Sequence, residues 1–434
     1  MSRERSEIEL ARLSQFESPN VTFVDPERRW PIVWDRGEDC WVWDVDGKRY
    51  LDLTAAFGVA ALGHSAPHIV RAGQQQLAKL PHAMGDVHPH PLKGILAQKL
   101  SGITFERWTQ GRVRGRTIFG SSGFEAVEAA LKTARLATGR HRIIAFEGAY
   151  HGLGYGALNA THRAMFRQPF RPQLTEFADF VPFPATLEIA QRSLETIRDH
   201  LSRREVGAIL MEPIQARGGI RVPHSGFLSE LSSMLQEYGT LLILDEVYTG
   251  FGRTGQWFAC EWEPVIPDLI CLGKALTGGF PLSAMVGKAD LMESAWPRSE
   301  GEAIHTSTFL GNPVGCAMAL AQIEALERGP WIESARTTGD WLEQRLKAST
   351  ISDEGTQPVR GRGLMLGIDY QRDRSERGTQ RCLNLMYAGL DSGIILLPEG
   401  ERADVLGLTP PLTIKKESLD EAIGSLERVD TPYG

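Results

Sequence analysis

An acid and an amine stand 29 positions apart, each just beyond an apolar run. The first run, Leu241-Leu242-Ile243-Leu244, leads directly into Asp245 and Glu246, and the second, Leu269-Ile270-Cys271-Leu272, leads into Gly273-Lys274. Continuous apolar runs of this kind read as strands buried on both faces. Open α/β sheets bind their ligands beyond the C-terminal ends of such strands, so the spacing predicts a carboxylate and an amine on one sheet edge. Pyridoxal phosphate chemistry uses that pair. A lysine forms a Schiff base with the cofactor aldehyde, and an aspartate keeps the pyridine nitrogen protonated so that the ring draws electrons from a breaking bond. Taken alone, the pair is equally compatible with a surface salt bridge.

The words around the pair narrow the choice. Leu244-Asp245-Glu246-Val247, Thr249-Gly250-Phe251-Gly252-Arg253-Thr254-Gly255, Pro267-Asp268, Gly273-Lys274-Ala275-Leu276 and Gly278-Gly279 follow one another in order. This series resembles the signature of the class III aminotransferases, which are fold-type I pyridoxal phosphate enzymes. The resemblance runs from about Trp30 to about Ile423. It implies an α/β fold with a large domain (65–327) built on a mostly parallel central sheet flanked by helices, and a smaller α+β domain made from both chain ends (1–64 and 328–434).

The residues themselves support a phosphate site upstream. Thr117-Ile118-Phe119 reads as a strand and Gly120-Ser121-Ser122-Gly123-Phe124 as a loop. A helix then begins at Glu125, with Ala126, Val127, Ala130, Leu131 and Ala134 on one face and Gly139 as its stop. Small residues before a helix start leave backbone N–H groups and the helix dipole free for an anion. Ser122 adds a hydroxyl, whereas Phe124 departs from the serine or threonine usual in the family. The resemblance further implies that Tyr150, in Glu147-Gly148-Ala149-Tyr150-His151-Gly152, stacks on the cofactor ring. His151 reads as a structural hydrogen-bonder and not an acid–base group, and the resemblance gives Glu212, Val247 and Tyr248 places around the cofactor. Thr308 is implied to reach the phosphate of a neighbouring subunit, so that each site of a homodimer is completed by its partner. Phe57, after a small meander of strands from Trp30 to Leu53 with turn signals at Asp35-Arg36-Gly37 and Asp46-Gly47, resembles a residue lining the substrate pocket.

Two positions depart from the family together. Relatives acting on alpha-amino acids carry a glutamate where this chain has Arg217. They carry a gating arginine where it has Gly407, in Gly407-Leu408-Thr409-Pro410-Pro411-Leu412. Arg217 is either a carboxylate ligand or a solvated charge. Tyr248 stands where some members have glutamine, and its hydroxyl, with an ordinary pKa near 10, is a poor base unless perturbed.

The 434 residues suffice for a large core, and a net charge of −7 argues against nucleic acid or an anionic membrane as principal partner. No run is long enough to span a bilayer and no signal peptide is evident. Five scattered cysteines without a C-x-x-C pair suggest neither a disulfide framework nor a zinc site. His64, His82, His88 and His90 lack an i, i+4 helical pair, and Pro89 and Pro91 break any helix there, so no metal is expected. The expectation is a cytoplasmic aminotransferase that moves an amino group from an amine or amino acid to an oxo-acid or other carbonyl acceptor. Lys274 would act as its catalytic amine and Asp245 as the partner of the cofactor ring. Alternatives on the same fold are an amino-acid racemase or epimerase and an aminomutase or lyase; a non-catalytic dimeric binding protein is a further one.

Overall fold

The computed structural model describes residues 3–25, 29–352, 359–370 and 376–430. The chain opens with the helix Glu4–Phe16, whose first turn is held by Asp46: its two carboxylate oxygens accept the N–H groups of Arg5 (2.9 Å) and Ser6 (3.0 Å). Three antiparallel strands follow, β1 (Trp34–Glu38), β2 (Trp41–Asp44) and β3 (Arg49–Asp52). Asp46-Gly47 makes the predicted turn, with Gly47 at φ 85°. Asp35-Arg36-Gly37 does not turn but lies within β1, where the pairing register slips between Trp34 and Arg36. A bulge tolerates the same residue types as a turn, which explains the misreading.

The central sheet contains β4 (Gly115–Gly120), β5 (Arg142–Phe146), β6 (Ala178–Val181), β7 (Val206–Met211), β8 (Leu241–Asp245), β9 (Leu269–Leu272) and β10 (Ser283–Lys288), in the order β4-β10-β9-β8-β7-β5-β6. All neighbours from β9 to β6 are parallel, and β10 runs antiparallel to both β4 and β9. β7, β8 and β9 are buried almost throughout, as continuous apolar runs require. The helix Gly123–Thr138 buries Ala126, Val127, Ala130, Leu131 and Ala134. Helices Pro67–Lys79 and Pro91–Ser101 flank a loop carrying His82, His88 and His90.

The C-terminal part forms a second antiparallel sheet from β11 (Arg360–Arg362), β12 (Met365–Asp369), β14 (Leu397–Glu399) and β15 (Val405–Leu408), while β13 (Ile394–Ile395) joins β3 in parallel. Both chain ends therefore share one smaller unit. The segment Gly361–Gly367 is a hairpin in which β11 turns back onto β12. Gly363 adopts φ 56°, and a Cβ there would stand 2.5 Å from the Thr254 carbonyl carbon, so only glycine lets the chain turn against that loop. Arg253, fully buried, ties the same loop to this unit by donating to the carbonyls of Leu364 (3.3 Å) and Pro410.

Candidate functional site

The register of the sheet puts Asp245 opposite Cys271, three residues before Lys274. Acid and amine thus leave adjacent parallel strands at the same edge. Both face a cavity of about 380 Å³, which Gly123, Phe124, Tyr150, Glu212, Arg217, Val247 and Tyr248 also line. Asp245 is 5% exposed and is held on both oxygens: Oδ2 lies 2.8 Å from His151 Nδ1, and Oδ1 accepts the Val247 N–H at 3.1 Å. His151 is buried, its backbone N–H is fixed by Thr161 Oγ1 (3.0 Å), and its Nε2 has no hydrogen-bond partner among the described residues. Its structural role is thus specific: it orients the carboxylate. His151 and Asp245 stand 94 positions apart in sequence, which gave no local sign of the contact.

Lys274 begins a short turn directly after β9 and has φ 43°, a left-handed conformation that costs a non-glycine residue about 1–3 kcal/mol. Its Nζ sits 4.0 Å from the centroid of the Tyr248 ring. Burial pushes the amine down to about 8, against the pull of Asp245, Glu212 and Glu399. A proton is therefore lost from Lys274 well before it would leave an exposed lysine. In cofactor-free protein, acylation of Lys274, followed by peptide mass spectrometry, is expected to rise with pH through a midpoint near 8. A midpoint near 10.5, the ordinary lysine value, would contradict the buried setting.

Tyr248 is buried, shares a hydrogen bond with Thr409 Oγ1 (3.2 Å), and has its hydroxyl pKa raised by burial. It forms a wall beside the lysine. Glu212 accepts the N–H groups of Tyr150 (3.1 Å) and Ala216 (3.4 Å), and burial lifts its carboxyl to about 7. It fixes the chain that carries Tyr150, whose ring meets Phe166 edge-on at 5.7 Å.

Opposite these groups the helix Gly123–Thr138 begins. Its first N–H groups, at Gly123 and Phe124, have no intrahelical partners. A Cβ on Gly123 would lie 2.9 Å from Val247 Cγ1, and one on Gly273 would lie 3.3 Å from the same atom. The bare backbone at Gly123 and Gly273 is what lets Val247 approach. The Ser122 hydroxyl donates to Glu125 Oε2 (3.1 Å), which also accepts the N–H groups of Ser121 and Ser122 (2.8 Å each), so Ser122 is engaged in capping the helix. The bulk of Phe124 is accommodated by glycines. A Cβ at Gly152 or Gly154 would come within 2.3 or 2.5 Å of the Phe124 side chain.

Two further candidates lie apart from this cavity in the single chain. Thr308 is exposed. Phe57 is 50% exposed and belongs to a left-handed run, Ala55, Ala56 and Phe57 (φ 46°, 49° and 61°). Asp52 steadies that run by accepting the N–H groups of Thr54 (2.8 Å) and Ala56 (3.1 Å). Neither residue lines the cavity on its own chain. Among the described residues no group of three His, Cys, Asp or Glu side chains could hold a metal ion. His64 is bonded to Asp52 (2.7 Å) and His90 accepts the Leu92 N–H (3.2 Å).

The residue set fits pyridoxal phosphate. An amine with a lowered pKa can take its aldehyde, and a fixed carboxylate can accept a ring N–H. The helix start, with glycine at its first position and N–H groups without intrahelical partners, suits a phosphate, and Tyr150 suits the flat ring. Comparison with known proteins leads to the same place. The family description "Aminotransferase class-III" matches residues 23–429. The acetylornithine aminotransferase of Methanosarcina mazei is 36% identical over 92% of each chain. The alanine/serine racemase of Pyrococcus horikoshii is 32% identical over 92% of this chain and 85% of that protein. An amine transaminase from an uncultivated Pseudomonas species, solved in its pyridoxal phosphate-bound form, superposes with a TM-score of 0.86 at 27% identity, covering 95% of this chain and 97% of that one. Sequence, fold and cavity agree, and the chain belongs to the class III aminotransferases, pyridoxal phosphate-dependent enzymes of fold type I.

Proposed function

We propose that Lys274 and Asp245 carry the amino-group transfer, with the amine drawn from an amine or amino acid and passed to an oxo-acid or other carbonyl acceptor. The observation behind this reading is their meeting at one cavity edge, with Asp245 held on both oxygens. When bound, pyridoxal phosphate supplies an aldehyde for the amino group and a ring that takes up the electrons of the broken C–H bond. Lys274 would anchor the cofactor and, once released by the incoming amine, would take the proton from the substrate carbon and pass it to the carbon that carried the cofactor's aldehyde. A lowered amine pKa suits that task near neutral pH. Asp245, oriented by His151, holds the proton at the ring nitrogen. Glu212 positions Tyr150, which covers the ring and excludes water. Gly123 and Phe124 bind the phosphate through backbone N–H groups, with Ser122 shaping the helix start and Val247 packing beneath.

Transamination is favoured over racemisation by the place of Tyr248. A two-base racemisation uses an acid–base group on the face of the substrate opposite the lysine, and Tyr248 is not placed for that role: it stands against Lys274, bonded to Thr409, with a raised pKa. The names of relatives such as acetylornithine aminotransferase support a donor whose amine ends a chain that also bears a carboxylate. Absorbance during addition of single amines, without an acceptor, tests the reading. The cofactor band is expected to convert to that of its aminated form. A band that persists while an alpha-amino acid loses optical activity would identify a racemase instead.

The same reading includes a homodimer in which Thr308, exposed and next to the exposed Phe309 (58%), reaches the partner's phosphate site. It also includes the division at residues 64 and 327 into large and small domains. The absence of any helix long and apolar enough to cross a membrane, among the described residues, and five buried free cysteines are compatible with a cytoplasmic setting.

A further inference from the structure

Arg217 and Gly407, where the resemblance leads one to expect a glutamate and an arginine, do not leave the cavity without an ion pair. Arg217 Nη1 lies 3.0 Å from Glu399 Oε2, an acid on β14 that sequence reasoning did not single out. The β14–β15 register sets Leu397 opposite Gly407. A Cβ on Gly407 would come 3.0 Å from Glu399 Cγ, so the glycine leaves room for the glutamate. The two side chains differ in access. Arg217 lines the cavity with its side chain 30% exposed, while that of Glu399 is 3% exposed. Their main chains are locked together. Gly400 N–H donates to the Arg217 carbonyl (3.2 Å), and buried Arg163 donates to the carbonyls of Arg217 and Gly400 (2.6 Å to the latter). Only the side chains are left free to exchange partners.

Resting on the aminotransferase reading above, we propose that Arg217 is the receptor for a substrate carboxylate and that Glu399 is its built-in stand-in, paired with Arg217 until the substrate's carboxylate displaces it. Arginine suits this role because its planar fork matches a carboxylate and carries charge at every relevant pH. A substrate without a carboxylate leaves the Arg217–Glu399 pair closed, so one cavity serves both kinds. Once displaced, Glu399 is a buried acid without its counter-ion, and it takes up a proton. Burial already raises Glu399 to about 7, against Arg217, Arg163 and Lys274, which face it and favour the charged form. The Tyr248 hydroxyl and the Cys382 thiol also face it, and burial keeps both neutral. Carboxylate selectivity is therefore greatest below pH 7, where Glu399 is protonated and Arg217 is free, and falls as pH rises through 7.

Aminooxy reagents test this on the holoenzyme. Aminooxyacetate and 3-aminooxypropanoate capture the cofactor's aldehyde carbon in the same way as their carboxylate-free counterparts, O-ethylhydroxylamine and O-propylhydroxylamine. Loss of the cofactor's visible band gives each rate. The better acid is expected to outpace its counterpart by about tenfold or more. Arg217→Gln should bring the ratio towards one. Glu399→Gln should raise it and remove its fall between pH 6 and 8. Because reagent and cofactor ionisation cancel within each ratio, the remaining pH dependence belongs to the pair. An undiminished ratio in Arg217→Gln, no advantage for either acid in the natural enzyme, or an unchanged pH profile in Glu399→Gln would overturn the proposal while leaving the cofactor reading intact. Absence of any cofactor band would remove both.

Discussion

Lys274→Ala is expected to lower turnover by at least ~10³-fold, because one substitution removes both the group that anchors the cofactor and the group that moves the proton. The rest of the site should survive. Lys274 donates none of the hydrogen bonds that hold Asp245, Glu212 or the helix start, which rest on His151, the Val247, Tyr150 and Ala216 N–H groups, and Glu125. The variant should therefore fold and still bind cofactor through the remaining contacts. Steady-state rates with and without a small exogenous amine are the check. Partial recovery with the added amine is expected, since it supplies a base in the vacated space. Multiple turnovers at the natural rate without it would place the proton transfer on another residue.

The second large effect concerns Asp245→Asn, which is expected to slow cleavage of the substrate C–H bond by ~10²–10³-fold. Asparagine has nearly the same shape, keeps an oxygen for the Val247 N–H, and leaves His151 a polar neighbour. Stability should change little. What is lost is the negative charge that holds a proton on the ring nitrogen, so the penalty falls on the bond-breaking step and not on binding. Single-turnover kinetics with an amine deuterated at the reacting carbon separates the two. The isotope effect should grow in the variant, and an unaltered rate with an unaltered isotope effect would contradict the role given to Asp245.

The part of this site readable from the chain was the part written in unbroken local pattern. Two apolar runs ending in Asp245 and Lys274 locate themselves, because burial on both faces removes alternation and the polar residue at the end marks the sheet edge. The helix start is likewise a local signal, although the helix begins at Gly123, two residues before the Glu125 expected from the sequence. What could not be read depends on contacts between distant segments. The pairing of His151 with Asp245 and that of Arg217 with Glu399, 182 positions apart, arise only from strand order and from the register of β14 on β15. Arg217 alone was ambiguous between ligand and surface charge, since nothing near it in sequence announces the buried acid. Backbone conformations without glycine were also silent. The left-handed run Ala55–Phe57 depends on the buried Asp52 carboxylate, and the bulge in β1 was mistaken for a turn because both accept Asp, Arg and Gly.

The attachment of the cofactor can be read directly. Reduction of the holoenzyme with borohydride makes the bond between cofactor and lysine permanent, and digestion followed by mass spectrometry then finds the modified residue. The cofactor's mass should appear on Lys274 alone, and prior incubation with a reactive amine should prevent the labelling. Label on a different lysine, or a holoenzyme whose Lys274 peptide remains unmodified, would contradict the site described here from its first residue.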